Sequence, residues 1–266
     1  MSKFRLVSAF LFCSSLLFSQ SSISTWKNSV KIDGEANEWS KPLRFYDAET
    51  KLFFSFTNDS SNLFLCFQSN DKRNQVKIHM AGMKVSINTK GKEKHKTSIS
   101  YPLTDSKLNF AREELNEEVE PDIDRLKNQF KLQNTNMLLS GFATQNGTYP
   151  IKDSVGIHAD LNWNERNIMT YELAIPLKEL FGVNYTAKDL TTVITLIVEV
   201  NAVTRENSSI DASQTAMGSA TGSQTAGMTR NLPSATSQEK RPLFDKNKCK
   251  QKFTLAISPN VPKATK

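Results

Sequence analysis

The feature that most constrains this chain is a series of short apolar runs, each followed by a polar turn, that begins near Val30. Two runs rich in Phe and Leu, residues 51–57 and 62–68, are joined by the sequence Asn58-Asp-Ser-Ser-Asn62. Aromatic and β-prone runs of this length, linked by turn-forming residues, favour an antiparallel hairpin. The chain is therefore predicted to build a sheet from strands that are neighbours in sequence.

Alternation of apolar and polar residues continues the pattern. It covers residues 76–80 and 83–87, with Gly82 as a turn between them, and it returns at residues 97–101. Strict alternation indicates strands that have one buried face and one wet face. The sequence therefore predicts three further strands here, with His79 on the first of them.

The second half of the chain mixes helix and strand signals. Apolar residues spaced by three and four between positions 106 and 133 predict an amphipathic helical insertion, which Pro121 divides in two. Pro176 is predicted to end a strand, and residues 177–181 to form one helical turn. The other predicted strands are residues 137–141, 154–158, 169–174, 192–200 and 253–258, of which 192–200 is expected to be central and buried.

About nine short strands, mostly antiparallel, predict an all-β fold, an antiparallel β-sandwich of the jelly-roll or immunoglobulin-like kind with a short helical insertion. Residues 201–243 contain no Phe, Trp or Tyr, so the stretch at about 202–245 cannot bury a core and is expected to be a low-complexity loop. We expect a single sandwich domain over residues 20–258 and a flexible tail over 259–266.

The N-terminus has the pattern of a secretion signal. Lys3 and Arg5 precede the almost wholly apolar stretch 6–18, which is too short for a comfortable membrane span. We therefore expect a cleaved signal peptide over residues 1–19 and a secreted, periplasmic or cell-envelope location. A lipoprotein acylated at Cys13 and an uncleaved membrane anchor are the alternatives.

Composition and net charge limit the class of protein and the kinds of partner that this chain can have. Hydrophobic residues make up 38% of the chain, which excludes a polytopic membrane protein, and no transmembrane segment is expected after signal cleavage. The net charge is +7, yet secretion argues against a nucleic-acid partner. The two cysteines left after cleavage, Cys66 and Cys249, either form a disulfide or lie apart, with Cys66 buried in a strand and Cys249 exposed.

Two segments carry a family resemblance, Ile32-Asp-Gly-Glu-Ala-Asn-Glu-Trp39 and Tyr171-Glu-Leu-Ala-Ile-Pro-Leu-Lys-Glu-Leu180. Together with Asn62-Leu-Phe-Leu65 they resemble the carbohydrate-binding modules of family 9 and the wider DOMON-like group. Residues 82–103 are also similar to uncharacterised secreted members from Bacteroidetes-type bacteria. The resemblance implies a β-sandwich that binds sugar without catalysis, and for a DOMON relative it implies haem held by Met and His.

The residues of these motifs also have physical interpretations of their own. Asp33 and Gly34 form a turn pair, in which Gly34 can adopt a positive φ. Trp39 is expected to be buried in the core, where a Trp ring buries well over ~150 Å². Both motifs are therefore expected to specify the fold before any chemistry.

Catalytic and metal-binding patterns are scarce. His79, His95 and His158 show no zinc-type spacing, and no cysteine lies near a histidine in the sequence. The chain also lacks a nucleophile elbow and a phosphate-binding loop. We therefore expect no enzyme activity, no metal site and no cofactor.

A sugar site needs an exposed aromatic ring beside amide or carboxylate groups. Trp163 is the best candidate, because it is flanked by Asn162, Asn164, Glu165 and Arg166 in what is predicted to be a polar loop between two strands. The ring is expected to face water, so that its truncation would leave stability nearly unchanged. One ring is fewer than the paired aromatic clamp of family 9 modules.

Two classes of function therefore remain open. The first is a secreted, non-catalytic module that binds a glycan. The second is a secreted or cell-envelope interaction domain that has no sugar site and whose partner is a cell-envelope component. A haem-binding protein is a distant third.

Overall fold

The computed structural model describes residues 22–89, 97–103, 119–151, 156–203 and 243–259. The expected signal peptide, the first part of the helical insertion, nearly all of the low-complexity loop, His95 and residues 260–266 lie outside these ranges. Within them the strands are β1 Ser22–Ile23, β2 Thr25–Trp26, β3 Phe45–Asp47, β4 Leu52–Asn58, β5 Asn62–Ser69, β6 Met83–Asn88, β7 Thr97–Ser100, β8 Asn136–Ser140, β9 Gly147–Pro150, β10 His158–Trp163, β11 Met169–Pro176, β12 Ile194–Val200 and β13 Asn247–Thr254. The helices are α1 Lys72–Ala81, α2 Ile123–Gln133, α3 Leu177–Phe181 and α4 Ala187–Leu190.

The strands form two sheets. The first sheet has the order β1-β13-β12-β6-β7-β8-β9, and the second has the order β10-β11-β5-β4-β2 with β3 also paired to β4. All pairs are antiparallel except β1 with β13 and β2 with β4. One core cluster combines side chains of both sheets, for example Leu65 and Phe67 with Val85 and Val198. The predicted β-sandwich is therefore confirmed.

The predicted hairpin is β4–β5, in register from Phe53 opposite Gln68 to Asn58 opposite Leu63. The Asp59 carboxylate closes its turn by accepting the N–H groups of Ser61 and Asn62 at 2.7 and 2.6 Å. A short aspartate side chain satisfies turn amides in this way, which is why the polar link favours a hairpin.

The predicted central strand is β12, which lies between β6 and β13. Both of its faces are buried, and its β-branched residues suit that position. The last strand runs from Asn247 to Thr254, earlier than the predicted 253–258. Its polar outer face of lysines, Lys248, Lys250 and Lys252, concealed the strand pattern in the sequence.

The prediction of a strand at 76–80 was wrong, since these residues lie in helix α1. Asp71 caps the helix by accepting the N–H of Asn74 at 2.8 Å, and Gly82 ends it with φ +77°. All residues from 74 to 81 are buried, polar ones included, so the helix has no side that faces solvent. In a short segment that is buried on every side, the same apolar residues fit both the spacing of two that is typical of a strand and the spacing of four that is typical of a helix. Periodicity therefore cannot distinguish a strand from a helix here.

Candidate ligand-binding site

The outer face of the second sheet is crossed by residues 30–43, which we call the strap. Its apolar side chains form a buried cluster with residues of β5 and β11. The cluster comprises Val30, Ala36, Trp39, Leu43, Phe64, Cys66 and Ala174. The strap therefore covers the middle of this sheet and leaves an open region on each side.

Glu172 of β11 holds the strap. Its Oε1 accepts the indole N–H of Trp39 at 2.6 Å, and its Oε2 accepts the backbone N–H groups of Gly34 at 2.9 Å and Asp33 at 3.2 Å. Burial raises the pKa of Glu172 to about 7, although all three donors favour the charged form. The two motifs that carry the family resemblance thus meet at one carboxylate, and the predicted burial of Trp39 is confirmed.

Gly34 is required where the strap turns. Its φ is +74°, and a Cβ atom built on it would lie 2.6 Å from the Cβ of Asn162. Any side chain would therefore push the strap away from β10. The close approach places Asn162 beneath the strap, where its Oδ1 accepts the N–H of Trp163 at 2.9 Å.

A cleft of about 760 Å³ lies between the strap and the loop that follows β10. Four of the five residues predicted for ligand binding line it, namely Trp163, Asn164, Glu165 and Arg166; Asn162 does not. The strap supplies the opposite wall through residues 34–37 and 41–43. The cleft's volume is in the range of small-ligand sites.

The loop at the cleft mouth has its own internal support. Asn164 Oδ1 accepts the N–H groups of Arg166 and Ile168 at 2.9 and 3.0 Å, and Asn167 adopts φ +58°. Asn164 therefore shapes the loop, while the side chains of Glu165 and Arg166 are exposed at its tip. Of the predicted polar residues, these two are placed to reach a ligand.

Trp163 differs from its prediction, which placed it in a polar loop with its ring facing water and its truncation neutral for stability. It is the last residue of β10 and is half-buried; its indole N–H donates to Oε1 of Gln75 at 2.9 Å. Its ring meets the ring of Phe130 edge to face, with centroids 5.1 Å apart. Helices α1 and α2 supply these two contacts, so Trp163 supports the fold as well as lining the cleft, and its truncation will cost stability.

Sequence reasoning missed the floor of the cleft. Phe53, Gln68 and Thr170 lie side by side in register on β4, β5 and β11, and all three line the cleft. Tyr46 on β3 is opposite Phe53, with ring centroids 4.6 Å apart, and 56% of it is exposed. Alternation along β4 could have placed Phe53 on the outer face, but only the strand register brings these residues together.

A second cleft, of about 1000 Å³, lies on the other side of the strap. Its lining includes His158, Asp160, Lys178 and Tyr185. The two clefts share strand β11, on which Thr170 and Ala174 are four residues, or roughly 13 Å, apart. The strap therefore divides one sheet face into two clefts whose linings mix polar and apolar side chains.

His79 lines neither of these two clefts. It lies on α1, 1% exposed, with Nδ1 3.4 Å from the amide nitrogen of Asn134, and burial lowers its pKa to about 4. It is therefore neutral at physiological pH. Cys66 and Cys249 are both buried free thiols, so Cys249 is not exposed as one alternative had it.

Within the described ranges, no three residues among His, Cys, Asp and Glu come together in a way that could hold a metal ion. None of the helices in those ranges is long and apolar enough to span a membrane.

Comparison with known proteins gives a sparse result. No family model matches the chain, and no curated protein matches it. A solved structure similar to it is a carbohydrate-binding module of family 9 from Caldicellulosiruptor kristjanssonii in complex with glucose. The match has 11% sequence identity and a TM-score of 0.33, over 91% of this chain and 99% of that one. A similarity of this size carries no functional information about the present chain.

Proposed function

We propose that the protein is a secreted or cell-envelope β-sandwich module that binds a carbohydrate, without catalysis, in the cleft between the strap and Trp163. The observation that carries the proposal is the composition of this cleft. Aromatic rings of Trp163 and Phe53 line it together with the side chains of Gln68, Asn70 and others that form hydrogen bonds.

This combination suits a sugar. The faces of aromatic rings pack against the C–H faces of a pyranose, and amides and hydroxyls bind its hydroxyl groups. The charged side chains at the cleft are of both signs, with Glu35 and Glu165 opposed by Lys41 and Arg166. Balanced charge favours a neutral oligosaccharide over a strongly anionic one.

The test is direct binding. Isothermal titration with cellotriose, maltotriose and xylotriose, preceded by a glycan array, should find one class of neutral sugar that binds. Arg166→Ala and Asn70→Ala should weaken that binding, because both side chains are exposed and line the cleft. Lys178→Ala, at the second cleft, is the matched control and should bind as the wild type does. Absence of binding on the array, or equal affinity in all three variants, would refute the proposal.

One observation favours the alternative, an interaction domain without a sugar site. An apolar groove of about 660 Å³ at one end of the sandwich is lined by Ile23, Trp26, Leu190 and Ile257, among others. Ile23 and Ile257 are 61% and 72% exposed. If the array is negative while Ile23→Ser and Ile257→Ser impair retention in the cell envelope, the interaction domain becomes the better explanation.

A further inference from the structure

Gln75 lies behind the candidate site without lining it. It is near the start of helix α1 and is fully buried. Its Nε2 donates to the backbone carbonyl oxygens of Ser69 and Asn167, at 2.8 Å each, and its Oε1 accepts the indole N–H of Trp163 at 2.9 Å. Both N–H groups of this amide are therefore used. One buried side chain ties the end of β5, the loop after β10 and the Trp163 ring to helix α1.

Residues 164–168, which we call the cleft loop, are also held by helix α2. Lys127 of α2 donates from Nζ to Oδ1 of Asn167 at 2.5 Å. Asn167 is thus bound at its carbonyl by Gln75 and at its side chain by Lys127, and its φ of +58° is one that asparagine adopts more readily than most residues. The other four residues of the cleft loop line the cleft. The loop therefore presents four residues to the cleft and is anchored to both helices through the fifth.

The internal bonds of the cleft loop and its bonds to the helices have different effects. Asn164 accepts two N–H groups from within the loop, which sets the shape of the loop. The bonds from Gln75 and Lys127 come from outside it, so they set where the loop lies. Gln75 fixes the Trp163 ring at the same time. One wall of the cleft therefore depends on a residue that no ligand in the cleft would touch.

We propose that Gln75, together with Lys127, is a positioning residue for ligand binding, which holds the Trp163 ring and the cleft loop in place before a ligand arrives. The proposal rests on the proposed function for its effect on affinity, but the hold on the loop can be observed in the ligand-free protein. A wall that is already ordered loses less conformational entropy on binding. A wall that is in place for only a fraction of the time lowers the affinity by that fraction.

The first measurement uses the ligand-free protein. Gln75→Met keeps the length of the side chain and removes all three hydrogen bonds. In NMR spectra of this variant the indole N–H resonance of Trp163 should move, because it loses its acceptor. The backbone amide resonances of residues 164–168 should weaken through exchange on the μs–ms timescale. The indole resonances of Trp26 and Trp39, whose acceptors lie elsewhere, are internal references and should stay in place.

The second measurement is affinity, by isothermal titration with cellotriose, maltotriose and xylotriose. Gln75→Met should weaken binding about tenfold, which corresponds to a cleft wall that is in place for roughly a tenth of the time. Asn74→Leu is the matched control. Asn74 is the neighbouring buried amide of α1, but it donates to Thr50 and Ser69, neither of which lines the cleft. This control also loses buried hydrogen bonds, so lower stability by itself would affect both variants, whereas Asn74→Leu should keep the wild-type affinity and loop resonances.

A substitution on α2 tests the same loop from the other helix. Lys127→Met removes the bond to the Asn167 side chain, and Lys127 is partly exposed, so the variant should fold even where Gln75→Met does not. The amide resonances of residues 164–168 should weaken, and affinity should fall less than in Gln75→Met because Trp163 is still held. Asp124→Ala removes the other partner of Lys127 and should behave as the wild type does.

The outcomes separate the two proposals. Unchanged resonances of Trp163 and the cleft loop in Gln75→Met, or of the cleft loop in Lys127→Met where the first variant does not fold, would overturn the inference whatever the protein binds. If the resonances change but affinity for a bound trisaccharide falls no further than in Asn74→Leu, Gln75 supports the fold without positioning the site. If the wild type binds no sugar, the proposed function fails and the role in binding fails with it, and the loop resonances then report a structural contact alone.

Discussion

Glu172 and His79 should give the stability of this protein opposing responses to pH, which cancel in the wild type. Glu172 has its pKa raised from 4.5 to about 7, and His79 has its pKa lowered from 6.5 to about 4, each because of burial. A carboxyl with a higher pKa in the folded state binds more protons there, so the free energy of unfolding falls as pH rises from 4.5 to 7. A histidine with a lower folded pKa has the opposite effect: the free energy of unfolding falls as pH drops from 6.5 to 4.

The magnitude follows from the two shifts. At ~1.4 kcal/mol per pKa unit, each group changes the free energy of unfolding by about 3 kcal/mol over its full range. Between pH 5.0 and 6.5 each contributes roughly 2 kcal/mol, with opposite signs. The wild type should therefore vary by less than about 1 kcal/mol over this interval.

Single substitutions uncover each effect. Urea unfolding followed by circular dichroism at pH 5.0, 5.75 and 6.5 gives the free energies. His79→Gln should be about 2 kcal/mol more stable at pH 5.0 than at 6.5, and Glu172→Gln should be less stable at pH 5.0 by a similar amount. Each variant has its own loss of packing or hydrogen bonds, but that loss does not depend on pH, so the slope is the test. Variants that keep the wild-type slope would refute the reasoning.

Three further results are expected. Trp39→Ala should lower the free energy of unfolding by about 3–5 kcal/mol, since it removes a buried ring. Trp39→Phe, which loses one N–H bond to a buried carboxylate, should cost about 1.5–3 kcal/mol. A Trp39→Phe variant as stable as the wild type in urea titrations would show that the hydrogen bond to Glu172 contributes nothing. Trp163→Ala should lower the free energy of unfolding by about 1–3 kcal/mol, because Trp163 contacts α1 and α2. Arg166 is exposed, so Arg166→Ala should lower it by less than about 0.5 kcal/mol. Equal decreases in melting temperature for the two variants would contradict the packing of Trp163. Burial raises the pKa of the Cys66 thiol, and it raises the pKa of the Cys249 thiol to about 12. Ellman's reagent should therefore label both thiols only after unfolding. Rapid labelling of the native protein would show that the thiols are accessible.

The local sequence determined the elements whose signals lie within a few residues. The hairpin β4–β5 follows from two aromatic runs and one Asp59-centred turn, and β12 follows from a run rich in β-branched residues. The helical turn after Pro176 also needed only neighbouring residues. The all-β class could be predicted because these signals lie in the periodicity and composition of each segment. Such signals do not depend on which other segments pack against the strand.

The tertiary structure decided whatever depends on contacts between distant segments. Residues 74–81 form a helix whose apolar side chains pack against α2, and its polar residues are buried as well, so no solvent-facing side marks the helix in the sequence. Trp163 was predicted as a candidate ligand-binding residue, yet its bond to Gln75 spans 88 positions and could not be inferred from its polar neighbours.

The same holds for the centre of the candidate site. Trp39 and Glu172 each belong to a motif visible in the sequence, but they are 133 positions apart, and nothing local indicates that one donates to the other. Their pairing fixes the strap, and the strap divides the outer face of the second sheet into two clefts. Sequence alone could supply the residue types for binding. Strand register and the buried carboxylate of Glu172 decided which of these residues lie in the same cleft. Hydrogen bonding across a sheet joins residues without regard to their distance along the chain, so the sequence does not show these pairings.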